Sequence, residues 1–111
     1  MMTHIRNHEV PEEEVLPGMR RQILGYDTDL MLVRVKFDRD VIAPWHSHPH
    51  QQVSYIESGA FEVEIGDRKE LLRAGDCFVI PSQMGHSARC VEPGVIIDTF
   101  SPAREDFLQK S

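Results

Sequence analysis

The chain has 111 residues, of which 41% are hydrophobic and 27% charged, and its formal net charge is −6 at pH 7. A chain of this length and composition can bury a hydrophobic core without disulfides, so we expect a single domain over residues 1–111. The acidic charge argues against a nucleic-acid partner, which requires a basic surface, and against binding to an anionic membrane surface.

The N-terminal segment MMTHIRNHEVPEEE contains no apolar stretch of the kind found in signal peptides. No apolar run in the chain is long enough to span a membrane. The two cysteines, Cys77 and Cys90, lie in apolar segments, and we expect reduced core residues rather than a disulfide. A cytoplasmic location follows as an expectation. The acidic run at residues 12–14 is predicted to be solvated.

Short apolar segments separated by glycine, proline and aspartate predict β-strands. In chain order these segments are QILGY, LMLVRVKF, QVSYIES, AFEVEI, KELLR, CFVI, HSARCV and VIIDTF. Turn signals recur roughly every ten residues, a spacing typical of an all-β sandwich or barrel. The tail SPAREDFLQK is the one segment that predicts a helical turn, with Ser101 as its cap and Pro102 in the first helical position.

Residues 43–52, APWHSHPHQQ, gather three of the six histidines beside two glutamines. On a strand, alternate side chains share a face with Cα atoms about 6.7 Å apart, so His46 and His48 can converge on one metal ion. Gln52 has the same parity but reaches that ion only if the chain reverses near Pro49. We therefore predict that the histidines end one strand and Gln52 begins the next. A His-x-His pair also occurs in ordinary surface loops, so both interpretations stay open.

The C-terminal segment IIDTFSPARED carries a second group of polar residues. Asp98 and Phe100 share one face of a predicted strand. Because an unpaired buried carboxylate is costly, Asp98 faces either solvent from an edge strand or a partner inside a cavity. Arg104 follows a proline turn, and it is either solvated or folded over the cavity mouth, where its guanidinium suits a carboxylate.

Two segments resemble the paired motifs of cupins: HSHPHQQVSYIESG resembles the first and GDCFVIPSQMGHSARC the second. Asp40 and Gln83 replace glycines common in these motifs, and Cys90 replaces a common asparagine. The resemblance covers approximately residues 40–101 and implies an all-β jelly-roll barrel, the cupin double-stranded β-helix, with a short C-terminal helical turn. It further implies one divalent metal, which is zinc, nickel, manganese or iron. The implied metal ligands are His46, His48, Gln52 and His86.

Gln52 stands where the first cupin motif usually has a glutamate. Three histidines and an amide leave the metal its full positive charge, whereas a glutamate would cancel one unit. We expect a stronger Lewis acid and a better anchor for an anionic substrate, together with weaker metal binding. His50 has no motif position, and we expect it in a loop near the site rather than on the metal.

The segments PWHSHPHQQVSYIESG and IIDTFSPAREDFL together resemble the pectin-degradation cupins of the KdgF type, in which Gln51 is usually a glutamate. The resemblance implies metal-dependent conversion of 4,5-unsaturated uronates, released from pectin and alginate, into open-chain 5-keto-4-deoxyuronates. It places Asp98, Phe100 and Arg104 in the active site. The chemistry of these residues suits Asp98 to proton transfer, Arg104 to clamping the carboxylate and Phe100 to forming an apolar wall. The partner it implies is a small sugar acid, and small cupins of this kind are commonly homodimers.

Two other functional classes remain open from the sequence. The first is a different metal-dependent cupin enzyme, such as an iron dioxygenase or a sugar isomerase, and oxygen uptake with ferrous iron would identify the dioxygenase. The second is a non-catalytic sugar-binding cupin, which would bind a uronate saturably without turning it over. The sequence contains no basic helix of the kind that a DNA-bound sugar sensor would need.

Overall fold

β-Strands make up nearly all the regular structure of residues 2–109, which are the residues that this computed structural model describes. Three residues of the predicted 1–111 domain lie outside the described residues: Met1, Lys110 and Ser111. Lys110 is also the last residue of the predicted tail. A short 3-10 helix at Asn7–Glu9 precedes the strands, and helix α1 at Glu105–Leu108 follows them. The strands are β1 Glu13–Leu16, β2 Met19–Tyr26, β3 Met31–Phe37, β4 Ile42–His46, β5 Gln51–Ile65, β6 Arg68–Arg73, β7 Cys77–Ile80 and β8 His86–Ser101.

Two long antiparallel strands, β5 and β8, form the spine of the fold. The strand order is β1-β2-β3-β8-β5-β6, with β4 paired to β8 and β7 paired to β5. The first half of β8 pairs with β4 and its second half with β3, while β7 pairs with the first half of β5 and β6 with the second. Each long strand therefore contributes to two sheet regions that face each other, which confirms the predicted jelly roll.

The turn signals at Gly59 and Gly94 mark bends rather than strand ends, so the predicted division of β5 and β8 into four strands was wrong. The β5–β8 register shifts repeatedly between Ile56 and Phe61. Gly59 has φ +83°, and a Cβ there would lie 2.5 Å from the backbone carbonyl oxygen of Glu92. A Cβ on Gly94 would lie 2.0 Å from the backbone carbonyl oxygen of Ser58. The two backbones therefore cross so closely that only glycine fits.

The C-terminal tail forms the predicted helical turn, but later than expected. Ser101 is the last residue of β8 and does not cap a helix, and Pro102 follows it through a cis peptide bond. Helix α1 instead begins at Glu105 after Arg104, without a side-chain cap. The acidic run is exposed as predicted. Part of it forms β1, which the sequence analysis did not predict, because exposed glutamates lack the alternation typical of strands.

The core lies between the two facing sheet regions. Its most deeply buried apolar side chains are each 1% exposed or less, and they are Met31, Val33, Ile56, Ala60, Phe61, Ile80 and Cys90. Both cysteines are free thiols, as predicted. Cys77, however, is exposed on β7, so its assignment to the core was wrong. Within residues 2–109, neither helix has the length or the apolar character needed to cross a membrane.

Candidate metal centre and cavity

Three histidine rings meet where β4 and β8 pair. His46 ends β4 and is the cross-strand partner of His86, which begins β8. His48 lies two residues beyond the end of β4, in the loop that leads to β5. The potential ligand atoms of these three residues lie within 4.8 Å of one another, and His48 and His86 are buried. The convergence of His46 and His48 therefore depends on the loop rather than on a shared strand face.

Each of the three rings is fixed by a backbone carbonyl oxygen at Nδ1. The three contacts are His46 Nδ1 to Pro44 O at 2.8 Å, His48 Nδ1 to His50 O at 3.0 Å and His86 Nδ1 to Met84 O at 2.9 Å. A carbonyl oxygen only accepts hydrogen bonds, so each Nδ1 carries a proton, and in the neutral form of the ring Nε2 keeps the lone pair. Burial lowers the pKa of His86 to about 4 and also lowers the pKa of His48. The two buried rings are therefore neutral near pH 7, as metal binding requires.

Gln52, the second residue of β5, is buried with its amide oriented by two acceptors. Its Nε2 donates to Ser54 Oγ at 3.0 Å and to Asp98 Oδ1 at 3.3 Å, which turns Oε1 to within 3.1 Å of His48 Nε2. Because His48 carries its proton on Nδ1, neither His48 Nε2 nor Gln52 Oε1 has a hydrogen to donate, and the contact brings two lone pairs together. A spacing of 3.1 Å is short enough for both atoms to bind one metal ion, if one were held there.

His86 Nε2 gives a second indication that the donor set suits a cation. This atom is buried, and it has no hydrogen-bond partner among residues 2–109. A buried nitrogen left without a partner is costly, and a metal ion would satisfy its lone pair. The three histidines can therefore hold a metal ion, with the amide oxygen of Gln52 directly beside them.

Asp98 lies on the inner face of β8, directly opposite Ser54 on β5. Its Oδ1 accepts the Ser54 hydroxyl at 2.5 Å and the Gln52 amide at 3.3 Å. Desolvation raises the pKa of Asp98 to about 6, although both hydrogen bonds favour the charged form. Because β8 is an interior strand of the sheet, the alternative of a solvent-facing aspartate on an edge strand was wrong. Ser54 was not predicted as a site residue, although its parity with Gln52 on β5 was a usable signal.

Arg104 is buried against two aromatic rings. Its guanidinium Cζ lies 5.0 Å from the ring centroid of Phe100 and 4.1 Å from that of Phe107. Asp106 holds one edge of this guanidinium with two contacts, to Nε at 3.0 Å and to Nη2 at 2.7 Å. Phe100 also lies 5.8 Å from the ring of His48. Arg104 is thus packed between the tail and the histidine group and is not a solvated surface residue.

These groups surround one cavity of about 110 Å³ that is partly open to solvent. Its polar lining consists of Arg21, His46, Gln52, His86, Ser87, Asp98 and Arg104. Apolar side chains, including Met19, Val35, Phe37, Ile96, Phe100 and Phe107, make up most of the remainder. A cavity with an apolar wall and a few convergent polar groups is the usual form of a small-molecule site.

Two residues discussed from the sequence do not join this group. His50 lies beside His48, with ring centroids 5.5 Å apart, but it is not one of the histidines whose ligand atoms converge. Gln51 is exposed and alternates with the buried Gln52, so its side chain points away from the cavity.

Comparisons with known proteins agree with this architecture. A family model described as Cupin domain matches residues 33–100. The pectin degradation protein KdgF of Dickeya dadantii (strain 3937) is 39% identical over 110 residues, which cover 97% of this chain and 100% of that protein. The solved structure of KdgF from Halomonas sp. is 42% identical with a TM-score of 0.92, covering 96% of this chain and 99% of that one. An RmlC-like cupin from Shewanella frigidimarina NCIMB 400 is 39% identical with a TM-score of 0.93 and covers 96% of both chains.

Proposed function

Because this chain belongs to the cupin family and, within it, to the pectin degradation KdgF proteins, we propose that it is a metal-dependent ring-opening enzyme. Its substrates are 4,5-unsaturated uronates released from pectin and alginate, and its products are open-chain 5-keto-4-deoxyuronates. The observation that carries this proposal is one cavity that brings Asp98 and Arg104 together with histidines that can hold a metal ion.

The metal ligands that we propose are His46, His48, Gln52 and His86. Their support is the shared Nδ1 orientation of the rings, the unpartnered Nε2 of His86 and the amide oxygen beside His48. Zinc, nickel, manganese and iron all suit this set of nitrogen and oxygen donors. When bound, the ion supplies a positive anchor for an oxygen of the sugar acid and polarises the ring.

The proposed reaction is an isomerisation and consumes no oxidant or water. A proton adds to C4 of the C4–C5 double bond, the bond between the ring oxygen and C1 breaks, and the ring oxygen remains on C5 as a ketone. The C1 hydroxyl loses its proton and becomes the aldehyde, so protons and electrons balance. We assign the proton transfer to Asp98, because a carboxyl with a pKa of about 6 can both donate and accept near neutral pH.

Arg104 and Phe100 position the substrate in this proposal. Asp106 holds only the Nε and Nη2 edge of Arg104, so the N–H groups at Nη1 remain for the substrate carboxylate. Phe100 is 2% exposed, packs between Arg104 and His48, and forms an apolar wall for the sugar ring. The ligand that suits this arrangement is a small sugar acid.

An exposed apolar row on the outer sheet face supports a homodimer as part of the proposal. Leu32, Thr99, Val53 and Val79 follow one another across β3, β8, β5 and β7 as direct cross-strand partners. Leu32, Val53 and Val79 are 37%, 48% and 59% exposed, a pattern that favours burial against a second copy. Sedimentation equilibrium should give twice the chain mass, and a monomer mass would contradict this part.

The free cysteines agree with a reducing cytoplasm.

An absorbance assay tests the central proposal. The conjugated alkene of unsaturated galacturonate absorbs in the ultraviolet, and its loss reports ring opening after the uncatalysed rate is subtracted. We expect acceleration that a chelator abolishes and that at least one of the four metals restores. If none of the four produces acceleration above the uncatalysed rate, the ring-opening function is wrong. Oxygen uptake in the same assay would instead indicate a dioxygenase.

A further inference from the structure

A second arginine, Arg21 on β2, lines the same cavity as Arg104 and Asp98. Its side chain is 16% exposed, and its Nη2 lies 2.6 Å from Oε1 of Glu13, its cross-strand partner on β1. The preceding residue, Arg20, makes comparable ion pairs with Glu12 and Asp38 but is not part of the cavity lining. The two neighbours therefore share strand and charge and differ in whether they face the cavity.

Arg21 and Arg104 stack on the same aromatic ring. The guanidinium Cζ of Arg21 lies 4.0 Å from the ring centroid of Phe107, and that of Arg104 lies 4.1 Å from the same centroid. The two Cζ atoms are therefore at most about 8 Å apart. The cavity lining thus includes two cations that contact one aromatic ring.

The Nε of Arg21 is buried and has no hydrogen-bond partner in the part of the chain that the structure describes. The Nε of Arg104, by contrast, donates to Asp106. A buried cationic N–H without an acceptor is costly, and the usual compensation is an anionic oxygen supplied by a ligand. Asp98 is the only carboxylate among the cavity-lining residues of the described chain, and it already accepts from Ser54 and Gln52.

We propose that Arg21 is a second anion-binding residue of the cavity and that it holds the substrate carboxylate together with Arg104. An N–H···O hydrogen bond is about 2.9 Å long, so one carboxylate that lies between two guanidinium groups at most about 8 Å apart can accept from both. Arg21 thereby favours sugar acids over neutral sugars of the same shape. This inference rests on the proposed function for the identity of the substrate, but not for the presence of the anion site.

Direct binding of an unreactive ligand tests the assignment. Galacturonate carries the carboxylate without the reactive alkene, and galactose is its neutral counterpart, so calorimetry with both separates anion binding from hydroxyl binding. We expect Arg21→Gln to weaken galacturonate binding roughly 10- to 100-fold, the usual effect of losing a charge-assisted hydrogen bond, and to leave galactose binding unchanged. Arg21→Lys keeps the charge and should recover part of the loss. The matched variant Arg20→Gln should bind galacturonate like the wild type.

Three outcomes would overturn the role of Arg21. These are unchanged galacturonate binding in Arg21→Gln, an equal loss of galacturonate and galactose binding, and no detectable galacturonate binding by the wild type. Thermal unfolding of each variant shows whether a loss reflects damage to β1 or the Phe107 stack. Turnover of unsaturated galacturonate with an unchanged KM in Arg21→Gln would leave the reaction standing and remove Arg21 from it. Galacturonate binding that depends on Arg21, without turnover of unsaturated galacturonate, would support the anion site and contradict the proposed reaction.

Discussion

The buried His86 should make the metal-free protein sensitive to mild acid. Its pKa is lowered from 6.5 to about 4, with desolvation as the largest cause. The folded pKa therefore lies below the unfolded value, and between these two pH values the unfolded chain binds a proton that the folded chain does not. The contribution of His86 to the free energy of unfolding is therefore fully present above about pH 6.5, and it is lost as the pH falls toward 4.

The size of this effect follows from the two pKa values. At about pH 5 the unfolded imidazole is nearly fully protonated, whereas about one tenth of the folded His86 carries a proton. The difference corresponds to about 2 kcal/mol lost between about pH 7.5 and about pH 5. His48, whose pKa is also lowered, adds to the loss, and Asp98, whose pKa is raised to about 6, opposes it. A variant that differs only at residue 86 is therefore required.

His86→Asn provides that comparison, because the asparagine amide can still donate to Met84 O as His86 Nδ1 does. Urea unfolding of both chelator-treated proteins at about pH 7.5 and about pH 5 gives, for each protein, the change in the free energy of unfolding between the two pH values. The wild type should lose about 2 kcal/mol more than the variant, since the contributions of His48 and Asp98 cancel. Parallel losses, within about 0.5 kcal/mol, would show that His86 is not held neutral by burial and would refute the reasoning.

Four further changes test the proposed roles one by one. His48→Ala should cut the metal content sharply while His50→Ala leaves most of it, and full occupancy of the first in elemental analysis would remove His48 from the ligand set. Gln52→Glu should hold metal at least as tightly in chelator competition yet turn over more slowly, since the ion loses positive charge. Asp98→Asn should lower kcat roughly 10²–10⁴-fold with little change in KM, and an unchanged kcat would exclude it as proton shuttle. Arg104→Lys should first raise KM, because the ammonium lacks the planar fork, so an unchanged KM would count against the clamp.

The alternation of apolar and polar residues predicted most of the strands. Turn residues gave a wrong prediction of strand ends where two segments distant in the chain pass close to each other in the fold. Glycine at 59 and proline–glycine at 93–94 look like strand ends in the sequence, yet they lie where β5 and β8 bend past each other. Only the long-range pairing of the two strands distinguishes such a bend from a turn. Asp40 and Gln83, which replace motif glycines, keep positive φ values of 67° and 69°, so the turn geometry persists despite the substitutions.

The histidines were recognisable because their spacing is local, whereas their surroundings depend on pairing between distant strands. Ser54 reads in the sequence as an ordinary strand residue, and it becomes important only because β5 aligns it with Asp98. In the sequence Arg21 looks like one of two adjacent surface arginines. In the structure its side chain lines the cavity and contacts Phe107 of the tail. The shared parity of Ser54 and Gln52 places both on one face of β5, but no spacing within a single segment reveals the pairing of Ser54 with Asp98 or the contact of Arg21 with Phe107.

The contacts of Gln52 also supply a physical reason for an amide where cupins usually have a glutamate. Its oxygen lies beside His48, while its nitrogen donates to Ser54 and Asp98. A glutamate could offer the oxygen but not the N–H, and it would bring a second carboxylate to about the 3.3 Å that now separates the amide from Asp98. Two carboxylates that close disfavour each other's charged forms and would push the pKa of Asp98 above its present value of about 6. The amide of Gln52 therefore adds no negative charge beside the histidines, and it keeps the pKa of Asp98 close to the pH at which that carboxyl can exchange a proton.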